Sequence, residues 1–167
     1  MYLDSCLYKD FHNYIDAINI NRHYLDREYL DREYLDTVNS LKCLYCHEIP
    51  EICIHEYIDH IIGKIYKDDI HIDGLFINII AIIKRIIKHV IVNKYNIHRL
   101  IATTFMISQK IYDDLPYNNE TWAHICGVSL QSINRMEIDI LTCLNYNTFI
   151  KHEEMMAITK SIKYVEH

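Results

Sequence analysis

The chain has 167 residues, half of them apolar, with three glycines and two prolines. That is enough length for one domain with a sizeable core, and so few chain breakers exclude a many-turned β fold and favour long helices. The formal net charge of −6 argues against a nucleic-acid partner, which selects a basic protein or a basic face.

Residues 1–20 carry Asp4, Lys9, Asp10 and Asp16 with no unbroken apolar run, so no export signal is expected. The greasiest stretch, LFINIIAIIKRIIKHVIV from Leu75, has Lys84, Arg85 and Lys88 in its middle. A membrane span of about 20 uncharged residues is therefore excluded. The expectations are an intracellular chain, nuclear or cytoplasmic, with no membrane partner and with its six cysteines as reduced thiols.

In chain order, residues 1–49 read as an irregular, polar N-terminal extension. Within it, YLDREYLDREYLD (Tyr24 to Asp36) repeats a five-residue unit. A step of five residues turns Leu25, Leu30 and Leu35 about 140° apart on a helix and onto alternate sides of a strand. The repeat reads either as a low-complexity expansion or as a partner-binding arm built on its tyrosines.

Residues 51–66 place Ile54, Tyr57, Ile58, Ile61, Ile62 and Ile65 on one helical stripe. Asp73 is expected to cap a second helix, with Leu75, Ile79, Ile82, Ile83, Ile86 and Val90 inward and Lys84, Arg85 and Lys88 on a solvated face. Asn96 is expected to cap a third, Ile97 to Tyr112. Its apolar residues run nearly all round, leaving a narrow strip of Arg99, Thr103 and Lys110, so it predicts the centre of a bundle. A short helix over 120–126 follows, closed by Gly127 at C′. Ser129 is expected to cap a fifth helix reaching about Leu144, and 153–165 predicts a peripheral helix. The organisation expected is an extension over 1–49, one all-α unit over 50–150 and a helical tail over 151–167.

Cys43, Cys46 and His47 form a C-x-x-C-H run, with Cys53 nearby. A metal-binding helical module using these four groups is one reading, and plain thiols in a loop or core is the other. Asp113 and Asp114 read as a solvated turn before Leu-Pro. No phosphate-binding loop, dinucleotide fingerprint or nucleophile elbow is present, so neither an enzyme nor a cofactor is expected.

Glu137 falls within the apolar arc of Ile133, Met136, Ile140, Leu141 and Leu144. A carboxylate there needs a cation, because stripping it of water unpaired costs several kcal/mol. Lys110 is a candidate. The pairing is either an internal structural one or part of an interface.

The segment NIHRLIATTFMISQKIYDDLPYNNETWAHICGVSLQSINRMEIDILTCLNYNTFI resembles the cyclin box of the P/U-type, phosphate-pathway-like cyclins. Asn96, His98, Arg99, Lys110, Asp113, Asp114, Asn118, Asn119, Trp122, Ala123, Gly127, Ser129, Asn134, Arg135 and Glu137 carry the pattern, which weakens towards residue 51. The resemblance implies an all-α fold with a single five-helix cyclin box. It also implies a regulatory subunit that binds and allosterically activates a cyclin-dependent protein kinase, and is a monomer until it does so. Lys110 and Glu137 are then the kinase contacts, flanked by Ile111, Tyr112 and Ile133. Two features of many cyclins are absent. The first helix of the box has no Arg and the second holds Lys84 where an Asp is expected, and no tryptophan marks a substrate-docking groove.

Overall fold

The structure is a computed structural model, and residues 6–20, 41–65 and 72–163 are described. Among them are helices α1 (Cys6–Ile20), α2 (Ile54–Ile65), α3 (Ile72–Ile86), α4 (Ile97–Tyr112), α5 (Asn119–Cys126), α6 (Leu130–Cys143) and α7 (His152–Lys163), with a 3-10 turn at Lys42–Leu44. The described residues contain no strand. The Tyr24–Asp36 repeat lies outside the described residues.

Twelve of the sixteen residues of α4 are buried, among them Thr103, Thr104, Ser108 and Gln109. A helix covered on all sides must satisfy those polar groups from within. Thr103 Oγ1 donates to Arg99 O at 2.7 Å and Thr104 Oγ1 to Ile101 O at 2.9 Å. Gln109 Oε1 accepts from the indole Nε1 of fully buried Trp122 at 2.9 Å. Helices α2, α3 and α6 surround α4, and α1 and α7 pack on α3. The apolar run of α3 is thereby enclosed by α4, α1 and α7, which is why Ile79, Ile80, Ala81 and Ile82 are all fully buried.

Local chemistry ends several helices where the sequence indicates. Asn118 accepts from Thr121 N and begins α5; Gly127, at φ 65°, closes it while Val128 N donates to Ala123 O at 3.0 Å. Ser129 accepts from Ser132 N at 3.1 Å and opens α6. Asn96 stands at the N-cap of α4 but faces backwards. Its Oδ1 accepts from Asn93 N at 2.7 Å and its Nδ2 donates to Ile91 O at 2.8 Å, so it ties the preceding turn and caps no helix amide.

Other expectations are corrected. Residues 6–20 are helical, not irregular: Leu7, Phe11, Ile15 and Ile18 recur at helical spacing, and Phe11 and Ile15 enter the core. Burying those two gives about 3–6 kcal/mol, against about 1–2 kcal/mol of backbone entropy for each residue ordered. Helix α1 therefore depends on further contacts to its neighbours. Helix α3 begins at Ile72, so Asp73 lies inside its first turn and not before it. Arg85 is no solvated residue. It donates to Asn147 O at 2.7 Å, Phe149 O at 3.0 Å and Glu154 Oε2 at 2.7 Å, tying α3 to the segment entering α7.

Candidate functional site

The last turn of α4, the first turn of α5 and the middle of α6 meet at one rim. Asp113 N closes α4 on Gln109 O at 2.8 Å, and the cap on Asn118 sets the first residue of α5, Asn119, against α4. Lys110 Nζ pairs with Glu137 Oε1 at 2.5 Å and also donates to Asn119 Oδ1. Asn119 Nδ2 lies 2.7 Å from both Glu137 Oε2 and Asn134 Oδ1. The carboxylate that the sequence placed on an apolar arc is thus met by an ammonium and an amide of its own chain. The Glu137 side chain keeps 16 % of its surface exposed and Lys110 keeps 29 %, so the cluster sits at a water-touched edge and not in the core.

The other sequence-predicted residues separate. Ile111 and Tyr112 are exposed at the end of α4, and Leu115, two residues beyond that helix's cap, is 91 % exposed. The Tyr112 ring lies beside the start of α3, with Cε1 within 3.5 Å of where a Cβ on Gly74 would stand. Ile133 is the correction: at 0 % exposure it is part of the core and offers no surface to a partner in this conformation. It lies one turn before Glu137 on the same side of α6, but deeper. Sequence reasoning missed Asn119 and Asn134 as members of the cluster. Both belonged to the recurring pattern, and two amides flanking a demanding carboxylate were the available signal.

The four metal-ligand candidates do not converge. Among the described residues no group of three or more His, Cys, Asp or Glu side chains could hold a metal ion. Cys53 Sγ accepts from Glu56 N at 3.4 Å at the start of α2. Cys43 turns towards α6, and burial with the nearby Asp139 pushes its thiol up to about 12, the reverse of a metal-ready thiolate. A cleft of about 300 Å³ is lined by Cys43, Arg99, Gln131, Ser132 and Arg135. Arg99 donates to Cys43 O at 2.9 Å, and Arg135 pairs with Asp139 at 2.9 Å. Among the described residues no helix is long and apolar enough to cross a membrane.

The cyclin family model matches residues 8–148. The chain belongs to the cyclin family. It is 34 % identical to Cyclin-U1-1 of Arabidopsis thaliana, over 66 % of this chain and 52 % of that one. It is 34 % identical to Cyclin-U4-3 of the same plant, over 45 % of this chain and 40 % of that one. To PHO85 cyclin-like protein psl1 of Schizosaccharomyces pombe it is 27 % identical, over 65 % of this chain and 45 % of that one. These similarities agree with the P/U-type resemblance of the central segment, and the chain spans about half the length of these relatives. The family match starts at residue 8, so it takes in α1, which the motif resemblance did not reach.

Proposed function

We propose that this cyclin is a non-catalytic subunit that binds and activates a cyclin-dependent protein kinase through the rim where α4, α5 and α6 meet. The observation that carries the reading is the Lys110–Asn119–Glu137 cluster, closed and aligned before any partner arrives. An ammonium has three donors and a carboxylate about four acceptor positions. Lys110 uses two donors on Asn119 and Glu137, and each Glu137 oxygen retains a lone pair. The remaining donor and acceptors suit a peptide backbone, with a carbonyl on Lys110 and an amide on Glu137. Because the side chains are already ordered, little rotamer entropy is left to lose on binding.

Beside the cluster, Ile111, Tyr112 and Leu115 are apolar groups in water. Covering a side chain of this size is worth about 1.5–3 kcal/mol, so these residues supply affinity while the polar cluster fixes register. Activation then follows if the surface fits the active kinase conformation better than the inactive one, since a ligand shifts an equilibrium only by its differential affinity.

The test is capture of a kinase from native extract, followed by reconstitution of its activity with purified chain. Wild type should stimulate phosphorylation. Tyr112→Ala should weaken binding about tenfold or more, and Glu137→Lys should abolish it, with helicity by circular dichroism retained in both. Unchanged stimulation by a folded Glu137→Lys chain would overturn the reading.

A further inference from the structure

A second cluster of titratable groups lies between α1 and α2, away from the rim. His12 Nδ1 and His55 Nδ1 are 2.5 Å apart, and His55 Nε2 is 2.7 Å from Asp16 Oδ1. On the far side of His12, Nε2 is shielded from solvent and faces Asp59 Oδ1 at 3.5 Å. Tyr8 donates its hydroxyl to the same Asp59 oxygen.

The proton positions follow from the partners. A carboxylate only accepts, so His55 Nε2 carries a proton for Asp16, and neutral His55 therefore presents a bare Nδ1 lone pair to His12. His12 Nδ1 must then be the donor. One added proton can be accommodated on His12 Nε2, which points at Asp59. A second has no place, because charging both rings sets two N–H groups head to head across 2.5 Å.

We propose that His12 and His55 form a proton-gated clasp that holds α1 on α2 while the pair carries at most one extra proton and releases α1 when both rings are charged. The facing groups are accounted for on each side. Tyr8 and Asp16 come from α1, and Asp59 from α2. Helix α3 turns Phe76 towards Tyr8, with 6.2 Å between ring centroids, while its Lys84 and Arg85 are engaged with Ser161 and Glu154 of α7. Burial first, then the His55 charge, pushes His12 below its ordinary range, and Asp59 and Asp16 oppose them. A histidine whose folded pKa is depressed takes up protons more readily when its surroundings open. The stability it lends is complete above its ordinary value of about 6.5 and is lost as pH falls. Release would uncover the apolar faces that Phe11 now covers, where it stacks on Phe76 at 4.7 Å and meets Phe105 edge-on at 6.0 Å.

Hydrogen exchange of the full chain, corrected for the intrinsic pH dependence of amide exchange, tests the clasp. Between about pH 7.5 and about pH 5, on either side of the ordinary histidine value, protection over residues 6–20 should fall about tenfold more than protection over α4. Asp16→Asn keeps both rings but removes one carboxylate that offsets their charging in the closed state, so proton uptake favours the opened state further and the release midpoint should move to higher pH. Protection of 6–20 that tracks α4 throughout, or a midpoint unmoved in Asp16→Asn, would overturn the proposal.

Discussion

Replacing Glu137 by Ala removes the acceptor of a 2.5 Å ion pair and one of the two contacts of Asn119 Nδ2. A hydrogen bond between charged groups contributes about 1.5–3 kcal/mol, and breaking a fully buried pair costs about 3–5 kcal/mol because a bare charge is stranded. Lys110 is not stranded, since it retains Asn119 Oδ1 and 29 % of its side-chain surface. The expected loss is therefore at the lower end, about 1–2 kcal/mol. For a chain of this size that lowers the melting temperature by about 2–8 °C. Lys110→Ala should cost a similar amount. The double variant should cost less than the sum of the two, with a coupling of about 1 kcal/mol. Urea denaturation followed by fluorescence of Trp122, the single tryptophan and fully buried, gives all four stabilities. Additive losses would refute the claim that the two groups act as one preformed unit, and the pre-ordering invoked for partner binding would go with it.

Gly127→Ala should destabilise by about 1 kcal/mol, measured by the same denaturation, from the positive φ alone, since no heavy atom lies within 4 Å of the new Cβ. Arg85→Ala removes three contacts to residues 147–154, so exchange should rise about tenfold across 147–163 and remain unchanged in α5. In thiol labelling of the native chain at about pH 8, exposed Cys53 should react first among Cys43, Cys46, Cys53, Cys126 and Cys143. Cys43 and Cys126, pushed up by burial to about 12 and about 11, should react more than tenfold slower, and equal rates would show that burial does not govern these thiols.

The local grammar of the chain settled more than its composition did. The apolar wrap of residues 97–112, the Ser129 cap and Gly127 at its left-handed turn each depend on side chains within a few residues, so they are legible without tertiary structure. Helix α1 was overlooked because its apolar residues are diluted by Asp10, Asn13 and Asp16. Only the neighbours that bury Phe11 and Ile15 make that spacing count. A periodic stripe also reports direction but not depth. Ile133 and Glu137 share a side of α6, yet one lies in the core and the other at the edge, because the buried stripe runs through Ile133, Met136 and Ile140 and Glu137 sits at its flank.

By itself, then, the order of residues determined an all-helical chain, its central helix, most of its stops and a carboxylate in need of a cation. Those follow from periodicity, capping and the cost of dehydrating charge, none of which needs a distant residue. Packing alone decided that Lys110 answers Glu137 with Asn119 between them, that Arg85 anchors the entry to α7, and that two histidines 43 positions apart meet nitrogen to nitrogen. Such meetings depend on crossing angles and depths set by the whole core, and no short stretch of sequence encodes them.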